Sequence, residues 1–114
     1  MNNNRTTGKK GEDIAVDYLK KKGIKIIARN VRTPFGEIDI VGKRNGKLLF
    51  IEVKTRRDET FGVPVEAITK KKLLHIVRSA TYYMQGNDKD FGIGAVSIVM
   101  DGVHYKIEYI ENIL

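Results

Sequence analysis

The sequence contains no cysteine and no tryptophan, and its 114 residues include only two prolines and two histidines. Without cysteine there is no disulfide framework, no thiol nucleophile and no thiolate metal site. His75 and His104 lie far apart in sequence, which argues against a histidine-rich zinc site, and we interpret both as structural. No apolar stretch approaches the roughly 18 residues of a membrane span, and no signal-peptide pattern follows Met1. We therefore expect a single soluble, cytoplasmic domain over residues 1–114.

Positive charge is the most distinctive property of the composition. The chain has 21 Lys and Arg against 14 Asp and Glu, a formal net charge of +7. Such an excess on a small domain favours a polyanionic partner. Basic residues cluster at 20–22, 56–57 and 70–72, and any one cluster is explained as well by a solvated helix face. The three together predict nucleic acid as the partner, whereas no segment resembles the basic amphipathic helix of a membrane-surface protein.

Apolar periodicity predicts the order helix, three strands, helix, two strands. The first helix is predicted over 7–22 and the second from 65 or 66 to 84; strands are predicted over 24–30, 36–43, 47–55, 93–100 and 103–110. The predicted helix stripes are Ile14, Ala15, Tyr18 and Leu19, and then Leu73, Ile76, Val77, Ala80 and Met84. Because each helix must bury its stripe on a sheet face, the fold class is α/β.

The dipeptide Asn45-Gly46, between two apolar runs, is a strong hairpin signal. With these residues as the turn, Asp39 lies opposite Glu52 and Glu37 lies opposite Lys54. Alternation along a strand then puts the four charged side chains on one face of the hairpin. Two opposed carboxylates, with Cβ atoms about 4.5–5.5 Å apart, destabilise a sheet.

The opposite face of this hairpin is predicted to be apolar, through Ile38 and Ile40. On the charged face, a raised pKa, a neighbouring cation or a bound divalent metal would offset the repulsion between acids. A hard cation such as Mg²⁺ fits best because it prefers oxygen ligands; an exposed hairpin with surface salt bridges is the alternative. Glu12 adds a third acid if its helix meets the sheet edge, although a first-turn acid also suits the helix dipole.

Asp39, followed thirteen residues later by Glu52-Val53-Lys54, resembles the D…ExK signature of the PD-(D/E)xK nuclease superfamily. The wider pattern resembles the YraN family more closely. The matching positions are Gly8, Gly11-Glu12, Asn30, Gly36–Val41, Phe50–Arg56, Gly62 and Lys71 or Lys72. One stretch departs from that family, whose members usually have Phe-Asp in the strand after the second helix, because Gly94–Ile98 here contains no acid.

The resemblance implies a restriction-endonuclease-like αβββαβ core, with helices packed on a mixed central sheet and an extra C-terminal strand. This layout is similar to that of archaeal Holliday-junction resolvases. The implied function is a metal-dependent endonuclease that hydrolyses phosphodiester bonds in DNA, with branched, repair or recombination intermediates as substrates.

The resemblance also implies a role for each site residue. Asp39 and Glu52 would hold Mg²⁺ or Mn²⁺, the carbonyl of Val53 would be a third ligand, and Glu12 would complete the shell directly or through water. Lys54 would orient the attacking water or stabilise developing negative charge.

Six further charged residues are predicted to act near this centre. Glu37, opposite Lys54, would hold the lysine ammonium in position. The predicted nucleic-acid contacts are Arg56, Arg57, Lys70, Lys71 and Lys72.

Two other functions stay open: a catalytically silent nucleic-acid-binding module of the same fold, and a small protein whose basic surface recruits a partner. The presence of Asp39, Glu52 and Lys54 together favours the enzyme, because a pure binder gains nothing from acids that face a phosphate backbone. A homodimer would suit the cutting of two strands, but the residue pattern does not specify an oligomeric state.

Overall fold

The computed structural model describes residues 3–57, 69–87, 90–101 and 103–113, and for residues 3–9 the backbone alone. The elements are α1 (Asn3–Lys21), β1 (Lys25–Thr33), β2 (Gly36–Arg44), β3 (Lys47–Arg56), α2 (Lys70–Met84), β4 (Phe91–Asp101) and β5 (His104–Ile110). This order confirms the predicted α/β class and sequence of elements. The predicted start of the second helix, at residue 65 or 66, lies outside the described residues.

The five strands form one mixed sheet in the order β1-β2-β3-β4-β5. β3 and β4 are parallel, the other neighbours are antiparallel, and the connection between β3 and β4 includes α2, as a parallel pair requires. At the predicted hairpin, Arg44 pairs with Lys47, and Asn45 and Gly46 take left-handed φ values of 53° and 76°. Such φ values belong to the tight turn that suits two twisted strands.

The two helices cover opposite faces of the sheet. The α1 face buries Ala15, Val16, Leu19, Ile24, Ile40, Leu49, Ile51, Val96 and Ile98; the α2 face buries Ile38, Val41, Leu48, Phe50, Ala80 and Ile93. All five residues of the predicted α2 stripe pack in the second cluster. In α1, Val16 joins the core, whereas Tyr18 lies under the Lys22 ammonium, 5.4 Å from its ring centroid. Among the described residues, neither helix combines the length and apolarity needed to cross a bilayer.

One prediction for β2 is wrong. Ile38 and Ile40 are predicted to share one apolar face, but they pack on opposite faces of the sheet. On the neighbouring strand, Asn30 has a left-handed φ of 54°. The β1–β2 register passes over this residue, from Arg29–Ile40 directly to Val31–Ile38. A left-handed residue breaks the alternation of a strand, and β2 switches face at the matching position. The ladder between β2 and β3 ends at Ile40–Ile51, so both predicted acid-bearing pairs lie beyond its end.

Candidate active site

Asp39 lies at the point where β2 parts from β3. Its Oδ2 accepts a hydrogen bond from the backbone N–H of Val53 at 2.8 Å. If the β2–β3 ladder continued past Ile40–Ile51, Val53 would instead pair with Ile38. The N–H and C=O of one strand residue leave the backbone at the same edge, so the Val53 carbonyl also faces the gap beside Asp39. The carboxylate is thereby fixed in a half-buried position between two strands.

Burial raises the pKa of Asp39 from 3.8 to about 6. The hydrogen bond from Val53 opposes this shift, and the negative charges of Glu52, Glu12 and Glu37 add to it. The four acids selected from the sequence are therefore close enough to interact electrostatically. An acid that is buried among other acids favours a cation beside it.

Glu12 reaches the site because α1 lies unusually close to β3. The helix residue before it, Gly11, is buried, and a Cβ at that position would overlap the Thr55 hydroxyl. Glu12 Oε1 accepts hydrogen bonds from Arg29 Nε at 3.1 Å and Asn30 Nδ2 at 3.0 Å. The left-handed Asn30 thus both breaks the alternation of β1 and holds this carboxylate.

Glu52 forms an ion pair with Lys72 of α2, and its side chain is only 16% exposed. From the sequence, Lys72 is predicted as a nucleic-acid contact; the structure places it against an acid of the site. Lys54, on the same face of β3 by alternation, is half-buried. Within the described part of the chain, Lys54 forms no ion pair, so the contact predicted between it and Glu37 is not formed.

A small groove of about 160 Å³ runs beside these residues, between the β1–β2 turn and α2. Its lining is Phe35, Gly36, Glu37, Glu52, Lys72, His75, Ile76 and Ser79. His75 is therefore exposed at the site, whereas the sequence predicted only a structural role for it. The signal was the spacing of Lys72, His75 and Ser79, since residues three and four apart share one face of a helix.

The other predicted nucleic-acid contacts lie on two elements, the end of β3 and the first turn of α2. Lys70 and Lys71 are exposed in the first turn of α2, which Thr69 caps by accepting a hydrogen bond from Lys72 N at 3.1 Å. Arg56 is half-buried at the end of β3, and Arg57 follows it as an exposed residue. Because Lys72 reaches Glu52, the first turn of α2 lies beside the acids.

The oxygen donors of Asp39 and its neighbours on β3 are of the kind that a hard cation prefers. No group of three or more His, Cys, Asp or Glu side chains within the described ranges is arranged to hold a metal ion. The available set is the carboxylates of Asp39 and Glu52 with the main-chain carbonyl of Val53, all oxygen donors. Mg²⁺ commonly binds one or two carboxylates and completes its shell with water and phosphate oxygens, so these residues fit Mg²⁺ or Mn²⁺.

Comparisons with known proteins cover nearly the whole chain. The model of the family described as "Uncharacterised protein family UPF0102" matches residues 11–104, which include all four acids and Lys54. A UPF0102 protein of Syntrophomonas wolfei is 39% identical over 112 residues, or 96% of this chain and 97% of the relative. One from Shewanella loihica is 40% identical over 107 residues, covering 94% and 92% of the two chains. The chain therefore belongs to the UPF0102 family, as its resemblance to YraN-type proteins predicted.

Proposed function

We propose that this protein is a metal-dependent endonuclease that hydrolyses phosphodiester bonds in DNA. The observation that carries the proposal is Asp39, a half-buried acid that accepts the Val53 N–H bond and whose pKa is raised to about 6 by burial and by the negative charges of three further acids. These acids lie close together although the chain as a whole has a formal net charge of +7. Acids beside a basic surface are expected where a cation must bridge the protein and a phosphate.

In this proposal Asp39, Glu52 and the Val53 carbonyl hold Mg²⁺ or Mn²⁺, which would supply charge neutralisation at the phosphate. Glu12, already bonded to Arg29 and Asn30, acts as a positioning residue that reaches the site through water. Lys54, a half-buried ammonium without a described ion pair, orients the attacking water or stabilises the developing charge.

The basic residues then have the task of binding the DNA backbone. Arg57, Lys70 and Lys71 are exposed and contact phosphates without reading base sequence. A cation held by Glu52 would compete with its ion pair to Lys72, and the lysine would then be available to the same backbone. The resemblance to Holliday-junction resolvases suggests branched, repair or recombination intermediates as substrates, and a homodimer would place two sites on two strands.

The test is a cleavage assay on linear, supercoiled, flap and four-way DNA with Mg²⁺ or Mn²⁺. We expect cleavage that EDTA abolishes and that Asp39→Asn and Lys54→Ala each eliminate. Asp17→Asn is the matched control, because Asp17 is an exposed acid of α1. If highly purified protein cuts none of these substrates with either metal, the proposal is wrong.

A second candidate is a nucleic-acid-binding module of the same fold without catalysis. The ion pairs of Glu52 with Lys72 and of Glu12 with Arg29 favour it, since they neutralise two acids without a metal. This candidate predicts binding of branched DNA that is unchanged by EDTA and by Asp39→Asn. The enzyme predicts that both treatments stop cleavage.

A further inference from the structure

A second groove lies next to the acid-lined one and has no part in the proposed chemistry. Its volume is about 290 Å³, and its lining is Phe35, Val77, Arg78, Thr81 and Tyr82. Phe35 borders both grooves. The two grooves therefore adjoin at this ring.

Two aromatic rings form the walls of this second groove. Phe35 and Tyr82 meet edge to face, with centroids 6.4 Å apart and planes at 71°, and they stay 43% and 48% exposed. The next residue along α2, Tyr83, instead packs in the core against Phe50, 5.7 Å away. The core is thus filled without Tyr82, and an exposed aromatic pair of this kind offers ring faces for stacking.

Phe35 is held in place before any ligand arrives. The Thr33 hydroxyl donates to the Gly36 carbonyl at 2.8 Å and accepts from the Phe35 N–H at 3.1 Å. Its single proton is then used, so the buried Ser79 hydroxyl of α2 is the donor in the Thr33–Ser79 contact of 2.8 Å. These bonds tie the β1–β2 turn to α2, which lowers the ordering cost of binding at the ring.

Basic residues of α2 lie at both grooves, with Lys72 at the first and Arg78 at the second. Arg78 is exposed, lines the aromatic groove and, among the described residues, forms no ion pair. It lies six residues after Lys72, about 9 Å along the helix at 1.5 Å per residue. Aromatic rings beside cations are the combination that binds single-stranded nucleic acid.

We propose that the Phe35–Tyr82 groove binds an unpaired nucleobase of a DNA strand whose phosphate lies at Asp39 and Glu52. The inference rests on the proposed function and names its substrate class: DNA with unpaired nucleotides next to the scissile bond. Arg78 contacts a neighbouring phosphate of the same strand. A fully paired duplex cannot fill this groove because its bases are stacked on one another.

The experiment measures binding by fluorescence anisotropy in EDTA, so that no cleavage intervenes. The probes are a blunt duplex, the same duplex with a single-stranded tail, and tailed duplexes with one abasic nucleotide at successive tail positions. We expect the tailed duplex to bind more tightly than the blunt one. Tyr82→Ala weakens binding of the tailed duplex about fivefold or more and leaves the blunt duplex unaffected, whereas Tyr82→Phe retains wild-type binding.

The matched control is Tyr105→Ala, because Tyr105 is 52% exposed on β5, at the far edge of the sheet. One abasic position should weaken binding as much as Tyr82→Ala does, and combining the two should add nothing. Equal affinity for blunt and tailed duplexes, or equal losses from Tyr82→Ala and Tyr105→Ala, would overturn the base-binding groove. A change of oligomeric state in Tyr82→Ala would also overturn it, since the groove would then be an interface between copies of the chain.

A parallel cleavage assay separates this inference from the proposed function. Cleavage with Mg²⁺ or Mn²⁺ but tail-independent binding would overturn the groove alone. Tail-dependent binding that requires Tyr82, with no cleavage of any substrate, would overturn the nuclease and support the groove.

Discussion

Replacing Asp39 by Asn should stabilise the protein at neutral and alkaline pH in the absence of metal. The folded-state pKa of Asp39 is raised to about 6, so ionisation of this buried group opposes folding. Asn removes the charge and keeps an oxygen that can accept the Val53 N–H bond, now made by Asp39 Oδ2. Its amide group lies among acids that can accept hydrogen bonds from it.

The sign and size of the effect follow from proton linkage. Because the folded-state pKa exceeds the usual value of 3.8, the folded state binds more protons between these two limits. Stability is therefore lost as pH rises from about 4 to about 6. The full loss is about 3 kcal/mol, since one pKa unit corresponds to about 1.4 kcal/mol. Relative to the parent, Asp39→Asn should gain about 1 kcal/mol at about pH 4.5 and about 3 kcal/mol at about pH 8.

The assay is urea denaturation at both pH values with EDTA present. Asp17→Asn is the exposed control, and we expect it to change the free energy of unfolding by less than about 0.5 kcal/mol. At the higher pH, Mg²⁺ should stabilise the parent and leave Asp39→Asn unchanged, because only the parent carries the charge that the cation offsets. A loss of stability in Asp39→Asn at about pH 8, or the same gain at both pH values, would show that the buried charge of Asp39 does not oppose folding.

Two further predictions concern the residues that surround Asp39. Lys72→Met removes the cation that competes for Glu52. It should tighten Mg²⁺ binding by up to about fivefold, which corresponds to the free energy of a partly exposed ion pair. Calorimetry measures this change, and an equal change in Lys70→Met would contradict the prediction. Gly11→Ala should lower the free energy of unfolding by about 1–3 kcal/mol, despite the better helix propensity of Ala, because its Cβ overlaps the Thr55 hydroxyl. Urea denaturation measures this loss, which Thr55→Ala should partly relieve; a stabilised Gly11→Ala would contradict the close approach of α1 to β3.

Local patterns were sufficient to predict most of the fold. The Asn45-Gly46 turn fixes the register next to it, since a two-residue turn with left-handed φ values allows one pairing of the flanking residues. The stripe of α2 follows from helical periodicity alone, and its five predicted residues pack together. These features depend on residues close in sequence, which is why they were accessible without the structure.

The geometry of the site depends on contacts that periodicity does not encode. The hairpin pattern assumed strict alternation through Asp39, whereas the left-handed Asn30 on the neighbouring strand ends it. The ion pair of Lys72 with Glu52 joins a helix to a strand twenty residues earlier in the chain. The sequence therefore identified the acids, but the hydrogen bond from Val53 and the partners of each carboxylate required the structure.

The proposed chemistry depends on one divalent cation bound between Asp39 and Glu52. Its most direct test is a crystal soaked in Mn²⁺ and measured at a wavelength that gives anomalous scattering from manganese. We expect one anomalous peak in the gap between β2 and β3, within bonding distance of both carboxylates and the Val53 carbonyl. A peak elsewhere, or an empty gap at saturating Mn²⁺, would contradict it.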